Sequence, residues 1–434
     1  MPVFLNSSDI DFETAFAALL TAKREDSPDV DDAVAAIISD VRTRGDAAVL
    51  ELTAKFDRLE LSAEQMAFTP ADIEAECAKV SAEDRAALEL AAERIRAYHE
   101  RQKPTDERWE DVSGATLGWR WTPVSAAGLY VPGGLASYPS SVLMNAIPAK
   151  VAGVPRLAIC VPTPDGVVNP LVLMAARVAG VDEIYRIGGA QAVAALAYGT
   201  TTIAPVDKIT GPGNAFVAAA KRRVFGKVGI DMIAGPSEIL VIADKHNDPD
   251  WIATDLLSQA EHDESAQSLL ITDDIAFGQA VAASVDKQLE TLERRAIAGP
   301  SWRDFGAVIV VNDLDEAADL SDRIAPEHLE LCVEDPDALS AKITHAGAIF
   351  LGAWTPEAIG DYIGGPNHVL PTARSARFSS GLSVLDFMKR TTLAKMTPAS
   401  LRAIGPAAER LAQSESLEAH GLSVRARLDR LNES

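Results

Sequence analysis

The stretch from residue 183 to residue 223 decides the fold, because it passes twice from a short apolar strand through a glycine turn into a helix. It reads EIYRIGGAQAVAALAYGTTTIAPVDKITGPGNAFVAAAKRR. A strand over 183–187 leads into a glycine pair and an alanine-rich helix. A strand over 208–210 then leads through Gly211-Pro212-Gly213-Asn214 into a second helix. This alternation predicts parallel strands joined by crossover helices.

The same alternation continues on both sides of this stretch. Further apolar strands are predicted over 157–161, 239–242, 268–272, 307–311 and 348–351. Helical spacing separates them, for example over 170–178 and 249–260. We therefore expect an α/β protein with two doubly wound, incomplete Rossmann-like domains.

The two ends of the chain differ from this middle part. Apolar residues recur at helical spacing over 30–56 and 81–101, which predicts a helical N-terminal region. Over 117–130 the period shortens toward that of a strand. Residues 391–434 contain helical stretches but no convincing strand, and they are too few to form a domain alone. We expect this tail to pack on another surface, such as that of a second subunit.

The acidic composition argues against a nucleic-acid partner. The 434 residues carry a formal net charge of −23, and the longest obvious basic cluster, Lys221-Arg222-Arg223, is brief. The phosphate backbone of a nucleic acid would be repelled by this field. Apolar residues make up 47% of the chain, which is enough to bury the cores of a compact multi-domain enzyme.

Neither a membrane span nor a secretory signal is predicted. The stretch 121–149 contains no Asp, Glu, Lys or Arg, but its prolines would break a continuous helix. It is therefore predicted to be a loop-rich buried segment. The first residues lack a basic region followed by an apolar run, so we expect a cytoplasmic protein.

Histidine clusters in the C-terminal part of the chain indicate one converged site. Four of the seven histidines lie in short segments that also carry a carboxylate or carboxamide. These segments are Ser-Gln-Ala-Glu-His at 258–262, Ala-Pro-Glu-His at 325–328, Gly-Asp-Tyr-Ile-Gly-Gly-Pro-Asn-His at 360–368 and Glu-Ser-Leu-Glu-Ala-His at 415–420. Imidazole nitrogens and carboxylate oxygens bind borderline divalent ions and carry protons near neutral pH.

A metal site would use nitrogen and oxygen ligands. The three cysteines are isolated and show no Cys-x-x-Cys spacing, which argues against a thiolate zinc site and a disulfide framework. Gln259 and His262 are three residues apart near the end of a predicted helix, so they could hold one ion from the same face. The alternative is an exposed polar helix end. Asp361 and His420, taken singly, are typical of solvated or capping residues.

Glu327 and His328 are candidates for proton transfer. They are adjacent, follow Pro326, and stand where a helix ends and an apolar segment begins, a strand edge of the kind where α/β enzymes place their chemistry. Neighbours on an extended chain point in opposite directions, so both can serve one site only if the chain is irregular there. The alternative is a solvent-facing acid beside a half-buried histidine.

The glycine turns are a weaker signal. Gly188-Gly189, Gly211-Pro-Gly213 and Gly235-Pro236 lie between predicted elements, where backbone amides could meet phosphate or a polar substrate. Glycine turns also occur for purely geometric reasons. The sequence has no Gly-x-Gly-x-x-Gly, so any dinucleotide would be held in an atypical way.

Taken together, these segments resemble the histidinol dehydrogenase family over essentially the whole chain. The matching motifs are Gly-Leu-Tyr-Val-Pro-Gly-Gly at 128–134, Ile-Gly-Gly-Ala-Gln-Ala at 187–192, Lys-Ile-Thr-Gly-Pro-Gly-Asn at 208–214, Ile-Ala-Gly-Pro-Ser-Glu at 233–238 and the four histidine segments. So many motifs in one order make a chance similarity implausible.

The resemblance implies a zinc-dependent oxidation of L-histidinol to L-histidine through the aldehyde, with two NAD and one water. It implies that Glu327 and His328 are the acid–base pair. The resemblance implies one zinc per subunit. The zinc ligands and the binding residues are those at the positions of this sequence that match the family's motifs. Zinc would be bound by Gln259, His262, Asp361 and His420; NAD would be contacted by Tyr130, Gln191 and Asn214; and Ser237, His368 and Glu415 would contact the substrate together with His328 and the zinc ligands.

The resemblance also implies a homodimer with shared active sites, because family members exchange their C-terminal tails. We expect an N-terminal arm over 1–24 and a first α/β domain over 25–129 and 236–381 that carries the zinc and catalytic residues. A second α/β domain over 130–235 would face NAD, and a tail over 382–434 would cross to the neighbour with Glu415 and His420.

Three other functions remain possible at this stage. A relative of the same fold could oxidise another small polyol such as a sulfonated diol, although an anionic substrate would be better met by an added Arg or Lys. A zinc hydrolase could use the same ligands and Glu327-activated water without NAD. A structural or binding module would have to use the polar clusters as solvated surfaces.

Overall fold

The computed structural model describes residues 2–21, 28–132, 138–233 and 235–433. The chain divides into two compact units. The first unit comprises Met1–Gln102 and Ser125–Phe387, and the second comprises Lys103–Val124 and Met388–Ser434.

The described residues form three sheets. The strands are β1 (Val3–Asn6), β2 (Glu107–Glu110), β3 (Thr116–Pro123), β4 (Ala126–Tyr130), β5 (Arg156–Cys160), β6 (Glu183–Tyr185), β7 (Lys208–Thr210), β8 (Gly229–Ile230), β9 (Glu238–Ala243), β10 (Gln267–Thr272), β11 (Ala307–Val310), β12 (His328–Cys332), β13 (Ala348–Leu351) and β14 (Met388–Lys395).

Helices connect most of these strands. They are α1 (Phe12–Thr21), α2 (Pro28–Arg44), α3 (Asp46–Asp57), α4 (Pro70–Cys77), α5 (Ala82–Glu100), α6 (Pro139–Ala152), α7 (Pro170–Ala179), α8 (Gly189–Tyr198), α9 (Ala215–Val224), α10 (Pro249–Ala260), α11 (Ile275–Leu289), α12 (Arg295–Phe305), α13 (Leu314–Ile324), α14 (Pro336–Ser340), α15 (Glu357–Tyr362), α16 (Pro398–Ser414) and α17 (Glu418–Asn432).

The larger sheet of the first unit is parallel throughout, with the order β1-β11-β10-β9-β12-β13. Alternate side chains of β9 enter different cores: Leu240 packs in one with Phe16 of α1, and Val241 packs in another with Trp302 of α12. Helices therefore cover both faces of the sheet. This is why β9, β10 and β12 are buried at every residue, and why β9 and β10 contain uninterrupted apolar stretches rather than an alternating pattern.

The second sheet of this unit is also parallel, with the order β6-β5-β4-β7-β8. The alanine-rich α8 is buried along its length in a core that also contains Ile209 of β7 and Val217 of α9. The two parallel sheets with crossover helices confirm the predicted α/β fold class.

The second unit contains the antiparallel sheet β14-β3-β2 and the helices α16 and α17, which pack on each other. The prediction that the C-terminal part has no convincing strand is wrong, because Met388–Lys395 is an eight-residue strand paired with Thr116–Pro123. Its sequence, MKRTTLAK, has little apolar alternation and is mostly exposed. Its conformation follows from pairing with β3, which is distant in sequence.

Local signals set several boundaries in the N-terminal part. The predicted helix over 81–101 is confirmed as α5, and the hydroxyl of Ser81 caps it by accepting a hydrogen bond from the Asp84 N–H. The helical run over 30–56 is interrupted at Gly45, which has a φ of 58° and separates α2 from α3.

The stretch 121–149 is predicted to be a loop-rich segment, and this prediction is wrong for its last part. Its last part forms α6, which begins at Pro139 and contains Pro148 within the helix. Among the described residues, no helix combines the length and apolar character needed to cross a membrane.

Candidate active site

A cleft of about 700 Å³ opens in the first unit, a volume typical of small-molecule sites. One side is formed by Gly211-Pro212-Gly213-Asn214, which follow β7, and the other by Ser237, Glu327 and His328, which lie at the start of β9 and β12. The cleft therefore combines the carboxyl edge of the five-stranded sheet with the amino edge of the six-stranded sheet. Glu327 and His328 lie between the end of α13 at Ile324 and β12, which begins at His328, as predicted. This is the amino edge of their own sheet, whereas α/β sheets usually place ligands at the carboxyl edge.

Glu327 and His328 are both buried and both bind Glu238 on the neighbouring strand. An oxygen of Glu327 accepts a hydrogen bond from the Glu238 N–H at 2.9 Å, and Nδ1 of His328 lies 3.0 Å from the Glu238 carbonyl oxygen. Glu327 lies in a bend and β12 begins only at His328, so the chain is not extended across the pair and both side chains line one cleft. The predicted irregularity at this point is present.

The hydrogen bond to Glu238 determines which nitrogen of His328 can accept a proton. A carbonyl oxygen only accepts, so Nδ1 carries the hydrogen and Nε2 has a free lone pair. Nε2 is buried and has no hydrogen-bond partner among the described residues. Burial lowers the pKa of His328 to about 4, partly opposed by the charge of Asp361. The imidazole is therefore neutral at pH 7 and able to act as a base.

Asp361 lies between two imidazoles of the cleft. Its Oδ1 atom is 3.8 Å from Nε2 of His328 and 3.8 Å from Nδ1 of His368. Nε2 of His368 lies 3.5 Å from the hydroxyl oxygen of Ser141. Burial lowers the pKa of His368, so this ring also favours the neutral form.

The structure brings Gln259 and His262 together at the end of α10. The helix ends at Ala260, so His262 lies beyond it rather than on the helix face, and Nε2 of Gln259 is 3.3 Å from Nδ1 of His262. Gln259 is fully buried, and its Oε1 atom has no hydrogen-bond partner among the described residues. A buried carbonyl oxygen without a partner is costly, and a cation would satisfy it.

A group of buried acidic residues next to His328 was not predicted from the sequence. Oε1 of Glu357 lies 3.4 Å from Nδ1 of His328, and the backbone N–H of Glu357 donates to Glu330 at 2.6 Å. Glu330 in turn interacts electrostatically with Asp255, and burial raises the pKa of both carboxyl groups, that of Asp255 to about 6. The signal in the sequence was the charged Glu330 inside the apolar strand HLELC.

The residues expected to contact NAD lie at the carboxyl edge of the five-stranded sheet. The hydroxyl of Tyr130 accepts a hydrogen bond from the Gly189 N–H at 3.0 Å, and burial raises its pKa to about 12, so the phenol stays protonated. Gln191 is buried in the first turn of α8. Asn214 caps α9 by accepting from two backbone N–H groups, and among the three it alone lines the cleft.

Ser237 and His368 line the cleft as well. Glu415 and His420 lie in the second unit, where Glu415 follows α16 and His420 lies in the first turn of α17. Both residues are exposed there. Gly133, Gly134 and Ala234, which belong to the motifs quoted above, lie outside the described residues.

Comparison with known proteins matches the whole chain to one family. The family model described as histidinol dehydrogenase covers residues 20–428. A histidinol dehydrogenase of Cereibacter sphaeroides is 78% identical over 433 residues, and one of Ruegeria pomeroyi is 79% identical over 432 residues, each covering 100% of both chains. The crystal structure of histidinol dehydrogenase from Elizabethkingia anophelis superposes with a TM-score of 0.95 at 37% identity and covers 99% of each chain.

The chain belongs to the histidinol dehydrogenase family.

Membership in this family confirms the predicted resemblance and identifies the protein as an NAD-dependent oxidoreductase. The agreement with the Elizabethkingia anophelis histidinol dehydrogenase extends over both the fold and the full length of the chain.

Proposed function

We propose that this protein oxidises L-histidinol to L-histidine in two steps through L-histidinal, with two NAD and one water consumed, as the last part of histidine biosynthesis. The observation that carries the proposal is the pair Glu327–His328 in the cleft of a histidinol dehydrogenase family member. A neutral imidazole and a carboxylate there provide the two proton acceptors that two successive oxidations require.

Two residues that line the cleft, His262 and Asp361, fit a zinc ion together with Gln259, which lies beside His262. The unpartnered Oε1 of Gln259, the adjacent ring of His262 and the carboxylate of Asp361 are oxygen and nitrogen donors, and no thiolate among the described residues lines the cleft. These three residues would hold one zinc per subunit, with His420 as the fourth ligand. Bound zinc would supply an electrophilic centre that anchors the imidazole and amine of the substrate.

His328 is the base of the first oxidation in this proposal. Its Nε2 atom has a free lone pair, so it accepts the proton of the substrate hydroxyl while the carbinol hydrogen leaves as hydride to NAD. The hydrogen bond from Nδ1 to Glu238 holds the ring in the required tautomer.

Glu327 acts in the second oxidation, in which water adds to the aldehyde. Glu327 directly precedes β12, and its carboxylate accepts a hydrogen bond from the Glu238 N–H. Because the carboxylate lines the same cleft, it can remove a proton from the attacking water. The protonated His328 returns its proton to the aldehyde oxygen as water adds, so its imidazole is neutral again and accepts the hydroxyl proton of the hydrate as the second hydride leaves to NAD. NAD would be contacted by Tyr130, Gln191 and Asn214.

Three further residues would bind the substrate. Ser237 and His368 would contact histidinol from the cleft, and Glu415 would accept a hydrogen bond from the imidazole N–H that zinc does not use. We infer that Glu415 and His420 come from the tail of a second copy of the chain in a homodimer with shared active sites. The predicted domain boundaries and a location in the cytoplasm belong to the same proposal.

The experiment that tests this function is the yield of NADH per histidinol consumed by purified protein of known zinc content. Two NADH per histidinol are expected. No absorbance gain at the NADH wavelength would favour a zinc hydrolase. Faster turnover of another small polyol, such as a sulfonated diol, would favour the alternative dehydrogenase.

A further inference from the structure

An ion pair is buried beside the loop 211–214 at the edge of the cleft. The ammonium of Lys221 on α9 contacts the carboxylate of Asp231, which follows β8, and their side chains are only 3% and 1% exposed. Taking two charges out of water is costly, and their mutual attraction alone repays this only with good geometry and additional hydrogen bonds. The additional hydrogen bonds of this pair therefore indicate its structural role.

Both polar backbone groups of Gly211 are bound by this ion pair. Its N–H donates to Oδ2 of Asp231 at 2.8 Å, and its carbonyl oxygen accepts from Nζ of Lys221 at 2.9 Å. Gly211 has a φ of 113°, and a Cβ atom there would overlap the carbonyl oxygen of Tyr130. The peptide is thus held in a conformation that only glycine adopts readily, directly against the end of β4.

The fixed conformation of Gly211 also limits the position of the first turn of α9, because only three residues connect Gly211 to this helix. Pro212 and Gly213 are followed by Asn214, whose side-chain oxygen accepts from the N–H groups of Phe216 and Val217. Residues 211–214, Lys221 and Asp231 all line the cleft. The first turn of a helix attracts anionic groups, so its exact position matters to a ligand that carries phosphates.

We propose that Lys221 and Asp231 are positioning residues for the dinucleotide, acting through Gly211 to fix the loop 211–214 and the amino end of α9. The inference rests on the proposed binding of NAD beside Asn214. The pair differs from the ion pair Arg156–Glu183 of the same sheet in what it binds: Arg156 donates to the carbonyl oxygens of Ala204 and Pro205, which do not line the cleft, whereas Lys221 and Asp231 bind the cleft-lining Gly211.

The test is a double variant, Lys221→Met with Asp231→Asn. Removing one partner would leave a buried charge uncompensated and endanger folding, whereas replacing both is often tolerated. The control is Arg156→Met with Glu183→Gln, an ion pair of 2.8 Å at the amino edge of the same sheet. The NAD dissociation constant is measured by fluorescence, and KM and kcat are measured for both substrates.

We expect the double variant, with a circular dichroism spectrum like that of the unchanged protein, to bind NAD at least tenfold more weakly. Its KM for histidinol and its kcat at saturating NAD should change less than threefold, and the control pair should leave all of these values unchanged. NAD affinity within twofold of the starting protein would overturn the proposal, as would an equal loss of affinity for NAD and histidinol.

A second variant covers the case in which the double variant does not fold. Lys221→Arg keeps the positive charge opposite Asp231, so no buried charge is left uncompensated, but its larger planar guanidinium cannot take the place of the ammonium at the Gly211 carbonyl oxygen without moving the loop. It should weaken NAD binding with kcat preserved, and unchanged NAD affinity would again overturn the proposal. Because NAD binding is measured without turnover, the result stands even if histidinol proves not to be the substrate, an outcome that would refute only the proposed function.

Discussion

The carboxylate of Asp361 lies 3.8 Å from Nε2 of His328, the nitrogen that carries the free lone pair. A proposed metal ligand and a proposed base thus occupy neighbouring positions in one cleft, although 32 residues separate them in the sequence. A substrate held at the metal would present its hydroxyl to the imidazole without further movement of either group.

Replacing His328 by Asn should reduce both oxidation steps, each by about 100-fold or more, because a positioned general base contributes roughly 10² to 10⁴ in rate. His345→Asn is the matched control, since Nδ1 of His345 also lies near a backbone carbonyl, that of Asp322 at 3.2 Å, but away from the cleft lining. Stopped-flow NADH formation from histidinol and from histidinal measures the two steps. Normal rates in His328→Asn would refute the assigned role.

Replacing Glu327 by Gln should affect the two steps unequally. The amide oxygen can still accept from the Glu238 N–H, so the local structure is kept while the base for water is lost. Oxidation of histidinal should fall by about 100-fold or more, and oxidation of histidinol should fall much less. The same half-reactions measured separately decide this, and a larger loss in the first step would reverse the assignment.

Replacing Gln259 by Leu should lower the zinc content without unfolding the protein. The change removes a buried oxygen that has no partner among the described residues, so folding has little to lose at this position. Gln267→Leu is the control, because Gln267 is also buried but binds the carbonyl oxygen of Phe305. Metal analysis after dialysis against limited chelator should show zinc lost only from the first variant; equal zinc content would contradict the ligand assignment.

Replacing Glu415 by Gln should raise the KM for histidinol by about tenfold or more, with unchanged zinc content. An anion opposite the imidazole N–H binds more strongly than a neutral amide does. Glu418→Gln, which changes an equally exposed acid in the first turn of α17, is the control. Parallel loss of zinc and substrate affinity would show that Glu415 supports the metal instead.

Glu330→Gln should stabilise the protein at neutral pH. Burial raises the pKa of Glu330 and Asp255 in the folded protein, whereas the pKa of such carboxyl groups in the unfolded chain is near ~4. At a pH between these two pKa values, the folded state retains a proton that the unfolded state has released. Stability is therefore lost as the pH rises through this window, by roughly 1 to 3 kcal/mol. The amide can still donate to Asp255 and accept from the Glu357 N–H.

Urea unfolding at pH 5 and pH 7.5 measures this effect. The unfolding midpoint of the unchanged protein should fall more between the two pH values than that of Glu330→Gln. Glu290→Gln, at an exposed position, should behave like the unchanged protein. A midpoint for Glu330→Gln below that of the unchanged protein at pH 7.5 would contradict the explanation.

The sequence was sufficient where local rules govern the structure. Strand β13 and helix α10 begin and end at the predicted residues because apolar runs, Pro249 and the Asp248 cap define them locally. Strand β14 could not be predicted, since MKRTTLAK becomes a strand only by pairing with Thr116–Pro123. Local pattern gave no indication of a partner more than 250 residues away in the chain.

The residues of the candidate site also fall into two groups, those that local motifs indicate and those whose burial depends on distant parts of the chain. The sequence indicated Gln259, His262, Glu327, His328 and Asp361 as candidates, because their residue types are conspicuous in short motifs and in a family resemblance; their roles stay predictions. Glu357 and Glu330 were missed, because a single acidic residue in a helix or strand is ordinarily solvated and its burial depends on neighbours from other elements. The ion pair of Lys221 and Asp231 was missed for the same reason, because the sequence does not show that these two residues, ten positions apart, are buried against each other.

The most direct measurement is the crystal structure of the zinc-loaded protein with histidinol, with zinc located by its anomalous scattering. The account predicts one peak per subunit, bonded at about 2.0 to 2.2 Å to Gln259, His262 and Asp361 of one chain and to His420 of a second chain. It also predicts that the substrate hydroxyl lies within hydrogen-bonding distance of Nε2 of His328. A zinc peak away from these residues, or a hydroxyl out of reach of His328, would contradict it.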